Sequence, residues 1–144
     1  MADAAIYARR PDAAALAFAF RDAAADYARA YDLIEKWDET LAWNYKNLQA
    51  EALRGHGEAT GDRAALEEAL DAYDVVLRML PGDDRGRDWA ITRNNMAVVL
   101  NTIGDNSEGT AELLAAQSMF EEALAVFAEV GDDLNWGSSR NNIG

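Results

Sequence analysis

The sequence predicts an all-α protein built from antiparallel helix-turn-helix units stacked as an α-solenoid. Three observations carry this. Apolar residues recur at three- and four-residue spacing along almost the whole chain. β-branched residues are few and never alternate over a useful length, and there are only two prolines, Pro11 and Pro81. Most telling, the chain repeats itself at a shift of 47 residues, so that Asn47, Asn94 and Asn141 fall on one another.

The elements follow in order. A first helix over 12–36 carries the stripe Leu16, Phe20, Ala23, Tyr27, Tyr31 and Ile34, with Pro11 near its first turn, where proline is tolerated. The spacing predicts a second helix from Asp38 to Arg54, ended by Gly55 and Gly57, and a third from Asp62 to Leu80, stopped by Pro81-Gly82. A fourth runs from Asp88 to Ile103 and closes at Gly104. A fifth spans Thr110 to Val130 and closes at Gly131, and a sixth begins near Asp132. Chain length favours one domain over 1–144. Within it, 12–37 is the helix of an incomplete unit, 38–84 and 85–131 are full repeats, and 132–144 is a truncated third.

The 47-residue shift also brings Ala50 onto Ala97, Leu53 onto Leu100, Gly57 onto Gly104, Ala69 onto Ala116, and Tyr73 onto Phe120. Trp89 meets Trp136, and Arg93-Asn94-Asn95 recurs as Arg140-Asn141-Asn142. A shift of 46 aligns the first helix with the third, Phe20 on Leu66 and Tyr27 on Tyr73. Periods of this length mark repeats in which no unit buries its apolar face alone.

On Ala97, Leu100, Gly104, Ala116 and Phe120, and on Ala50, Leu53, Gly57, Ala69, Tyr73 and Pro81, the chain resembles the tetratricopeptide repeat (TPR) family. A tryptophan followed by asparagine resembles its long-repeat bacterial members. The resemblance covers about residues 38–144 and implies a right-handed superhelix whose first helices line a concave groove. The period departs from the family's 34, with additions in 58–63, 105–110 and 81–88. Gln49 stands where leucine is expected, and moving the register to Leu48 spoils Leu53 and Gly57.

Composition narrows the function. There are 13 Lys+Arg against 26 Asp+Glu, a net charge of −13, one His and no Cys. That charge opposes nucleic acid and anionic lipid alike. The absence of Cys suits a reducing compartment, and no apolar run approaches the roughly 20 residues that span a bilayer. Arg9-Arg10 is followed at once by Pro11-Asp12 rather than by a long apolar run, so the expectation is a soluble, cytoplasmic protein.

Catalytic patterns are scarce. His56 stands between Gly55 and Gly57 and reads as a solvated residue at a helix end. No serine has the glycine framing of a nucleophile elbow, no phosphate loop is present, and Asp105–Gly109 reads as a polar turn rather than a calcium loop. The expectation is no enzyme, no cofactor and no metal.

The best binding candidates are Lys46, Asn47, Arg93, Asn94, Asn95, Arg140, Asn141 and Asn142 on the first helices. Amides in series can bond a peptide backbone, and Arg or Lys can grip a carboxylate. The asparagines equally suit bonds that stabilise stacking. Charge is nearly balanced on the first helices, while acid concentrates on the second helices and turns. The functional expectation is a protein-interaction scaffold with a peptide or helix in its groove, as a segment of a larger bacterial signalling or regulatory protein. The alternative is self-assembly through open ends. The flank of the fifth helix around Phe120, Leu124 and Phe127 is expected to be poorly covered, giving a homo-oligomer joined through the C-terminal unit.

Overall fold

The computed structural model of the chain describes residues 13–81 and 85–143. Arg9, Arg10, Pro11, Gly82 and Gly144 lie outside them. The described residues form six helices and no strand: α1 (Ala13–Ile34), α2 (Glu39–Thr60), α3 (Arg63–Met79), α4 (Arg87–Ser107), α5 (Thr110–Val130) and α6 (Asp133–Ile143). None is long and apolar enough to cross a membrane.

Aspartates start three of the helices by accepting from backbone N–H groups that have no partner inside the helix. Asp38 accepts from Leu41 N at 2.9 Å, Asp62 from Ala64 N at 3.0 Å, and Asp132 from Asn135 N at 3.2 Å. Gly86 and Gly109, which precede α4 and α5, offer no side-chain cap.

Two helix ends differ from the sequence expectation, and the reason is packing. α2 continues through Gly55 and Gly57 to Thr60, and α4 continues through Gly104 to Ser107. Glycine at 57 and 104 does not end a helix; it admits a neighbour. A Cβ at Gly57 would stand 2.5 Å from Cγ and Cδ2 of Leu66, and one at Gly104 would stand 2.6 Å from Cγ of Leu113. Both members of this contact are 47 residues apart in sequence, so the repeat is expressed as geometry. The helices end instead in left-handed residues, Gly61 (φ 72°) and Glu108 (φ 53°), again 47 apart. At 108 a glutamate occupies a conformation that costs an L-residue about 1–2 kcal/mol.

Consecutive helices pack on one another, most extensively α1 on α2, α2 on α3 and α4 on α5, with α4 reaching α3 and α6 more lightly. Fully buried alanines, Ala50 and Ala69 in one unit and Ala97 and Ala116 in the next, let the paired helices close up. Tyr73 and Phe120 fill the equivalent spaces between them. Ion pairs join successive units: Arg63 of α3 meets Glu112 of α5 at 3.4 Å, and Arg87 of α4 meets Asp132 at 2.6 Å.

The flank of α5 is better covered than the sequence suggested. Phe120 is 2% and Phe127 1% exposed, held against α4 by Ala90 and Ala97, with Trp89 and Ile143 packed alongside. The exposed apolar side chains of this unit are others: Leu114, Val130, Leu134 and Trp136.

Candidate functional site: a trough along α2

α1 and α3 lie on either side of α2, and between them runs a trough. Its cause is missing side-chain volume. Under the 46-residue alignment, α1 carries Ala24, Ala25 and Ala28 where α3 carries Leu70, Asp71 and Asp74. The alanines line a cavity of 310 Å³, and a second of 240 Å³ between α2 and α3 shares Gln49, Leu53 and Glu68 with it, so the two form one channel. Gln49, Leu53 and His56 make the floor, the three alanines and Arg21 one wall, and Asp62, Glu68 and Asp71 of α3 the other.

His56 corrects a sequence expectation. It lies within α2, four residues before the helix ends at Thr60, and is 8% exposed rather than solvated. Its Nδ1 lies 2.9 Å from the carbonyl oxygen of Ala17, which can only accept, so Nδ1 donates. Its Nε2 lies 3.4 Å from Oδ2 of Asp62. The imidazole thus ties α1, α2 and the start of α3 together, and both nitrogens face protein oxygens.

Asp62 also caps α3 and stands 3.9 Å from Arg21. The backbone N–H of Ala65 holds its carboxyl below the usual carboxylate range, helped by His56 and the N–H of Ala64. A folded-state value below the unfolded one, about 3.9, stabilises the fold above that pH. The contribution is lost as pH falls through the native value. We therefore expect Asp62→Asn to lower stability near neutral pH and to flatten its decline as pH falls below the unfolded value. Urea titrations across that range check this; an unchanged acid limb in the variant would show that the cap carries no such linkage.

The far end of the trough holds Lys46. Its Nζ donates to Oε1 of Gln49 at 2.8 Å and lies 4.1 Å from the centre of the Tyr31 ring. Burial lowers the Lys46 pKa, opposed by Asp32 and Glu35. On the α3 wall, Glu68 and Asp71 are exposed and form no ion pair with another described residue. The channel is therefore small-walled where α1 lines it, with polar groups in its floor and along its rims.

Of the residues expected from sequence, Lys46 alone lines this channel. Asn47 is half-buried on α2. Arg93 turns to α5, where Nη2 donates to both carboxylate oxygens of Glu122 at 3.4 Å, and its guanidinium lies 5.6 Å from the Trp89 ring. Asn94 is half-buried, its Oδ1 accepting from no described residue. Asn95 Oδ1 accepts from Nη1 of Arg54 at 3.4 Å and so joins α4 to α2. Arg140, Asn141 and Asn142 are exposed on the last turns of α6. Sequence reasoning missed Arg21, Gln49 and Glu68. The signal for them was the alanine triplet of α1 set against Leu70-Asp71 of α3.

Among the described residues no group of acidic or histidine side chains is arranged to hold a metal ion. No protein-family model matches the chain, and neither a curated protein nor a solved structure is found to be similar to it.

Proposed function

We propose that the chain is a non-enzymatic interaction module of the tetratricopeptide kind, a right-handed α-solenoid, that holds a peptide segment of a protein partner in the trough along α2. The observation that carries this reading is the continuity of the two cavities over Gln49 and Leu53. From Lys46 to His56 the helix rises about 15 Å, which accommodates about four or five residues of extended chain. Alanine walls admit a backbone closely, and Gln49, Glu68 and Asp71 stand where its amides and side chains would pass. The net charge of −13 favours a partner that is not nucleic acid or anionic membrane. A place within a larger bacterial signalling or regulatory protein, in the cytoplasm and without a cofactor, fits this role.

The test is peptide selection from a random library, followed by titration of the selected peptide into Ala25→Trp. Ala25 is exposed, so the indole fills the channel without entering the core. Affinity is expected to fall at least about tenfold, or 1.4 kcal/mol, with melting temperature unchanged. Wild-type affinity in this variant would remove the trough from the account.

A second reading, self-association, is favoured by the apolar side chains on the α5–α6 unit. Leu134 is 82% and Leu114 62% exposed, with Val130 and Trp136 also open. Sedimentation across micromolar concentrations is expected to show association that Leu134→Glu abolishes. A single 15.7 kDa species at every concentration excludes this reading.

A further inference from the structure

The two repeat units differ at one place that the trough does not involve. Where α2 begins, α3 ends and α4 begins, the first unit holds a cavity of 340 Å³. Trp43, Met79, Leu80 and Pro81 give it apolar walls, and Glu39 of α2 and Asp88 of α4 bring carboxylates to it. Both acids are exposed and pair with no described cation.

The second unit is the internal control. Adding 47 takes Trp43 to Ala90, Met79 to Val126 and Leu80 to Phe127, and these three are buried together as core. Thr40 becomes Arg87, whose guanidinium is ion-paired to Asp132. Trp89, which falls on Ala42 rather than on Trp43, has the guanidinium of Arg85 over its ring at 4.9 Å. The second unit therefore supplies both the filling side chain and its own arginines. The first has no such filling side chain and has Thr40 in place of Arg87; what it brings instead is an indole and two carboxylates from different helices.

We infer that this cavity binds an arginine side chain presented by a protein partner. A guanidinium lies flat on an indole and donates to carboxylates from a planar fork, which the compact ammonium of lysine does not reproduce. The aliphatic stem of arginine packs against Met79, Leu80 and Pro81. The cavity is within the range of small-ligand sites, roughly 300–1,000 Å³. The net charge of −13 draws such a side chain in.

The experiment titrates the peptide acetyl-Gly-Arg-Gly-amide into the chain and follows the Trp43 indole N–H by NMR. The neutral citrulline peptide and the lysine peptide serve as comparisons. The arginine peptide is expected to shift the Trp43 signal saturably, with a dissociation constant of about 1 mM, and citrulline is expected to leave it in place. Thr40→Arg, which copies Arg87, and the double variant Glu39→Gln/Asp88→Asn should each abolish the shift while leaving the folded spectrum intact. Equal binding by citrulline or lysine, a persistent shift in both variants, or no saturable shift up to about 10 mM overturns the assignment. None of these outcomes bears on the trough, since Ala25→Trp lies outside this cavity and should leave the shift unchanged.

Discussion

Tyr73→Ala is expected to cost about 3–5 kcal/mol, the usual loss for removing a buried aromatic side chain. The ring is fully buried in a cluster that draws on α1, α2, α3 and α4, so its removal opens a void in the core. Against a total stability of about 5–15 kcal/mol, that loss puts folding at risk. The opposite sign is expected for Tyr73→Phe. The hydroxyl is buried with no described hydrogen-bond partner, and burial pushes the phenol above its ordinary pKa. Leaving such a group unsatisfied costs about 1–3 kcal/mol, so deleting it should stabilise by about 1 kcal/mol. The second unit already has phenylalanine here, at Phe120. Denaturant titration of the two variants decides the point. A less stable Phe variant would mean that the hydroxyl has a partner in solution.

Gly57→Val is the second large effect. If Gly57 merely ended a helix, a side chain there would cost little more than the lost left-handed freedom. It lies instead within α2, and a Cβ would be 2.5 Å from Leu66, itself 1% exposed and unable to move away. Overpacking of this kind costs about 1–3 kcal/mol and occasionally more. The same change at Gly104 should also destabilise, since a Cβ there meets Leu113 at 2.6 Å and the backbone carbonyl oxygen of Gly109 at 3.1 Å. Lower urea midpoints for both Gly57→Val and Gly104→Val than for wild type support the helix-crossing role. A Gly57→Val protein as stable as wild type would refute it.

These glycines show where sequence reading reached and where it stopped. The 47-residue period was legible because it is written in residue types: Ala50 and Ala97, Ala69 and Ala116, Tyr73 and Phe120 all take equivalent buried places. Helix ends were not legible at Gly57 and Gly104, since a glycine that admits a neighbour and one that ends a helix are the same letter. The difference lies in Leu66 and Leu113, which are remote in space until the helices pair. His56 was misread for a related reason. Between two glycines it looked terminal, and only the approach of Ala17 and Asp62 makes it a buried tie.

The candidate site was less legible still. A trough is absent volume, and Ala24, Ala25 and Ala28 are ordinary helix formers until they are set against Leu70 and Asp71. The asparagines drew notice because they are poor helix formers, and the arginines because a charge is a poor element for stacking helices. For Arg93 and Asn95 that cost is met by Glu122 and Arg54, partners that the sequence does not place nearby.

The central claim is that a partner segment lies over α2 between α1 and α3. Chemical-shift mapping of a library-selected peptide on the labelled chain tests it directly. The account predicts perturbations gathered on Arg21, Ala25, Gln49, Glu68 and Asp71, with Arg140, Asn141 and Asn142 unmoved. Perturbations centred on Arg93, Asn94, Arg140 and Asn141, with the α2 trough silent, would contradict it and place binding on the ladder of the first helices.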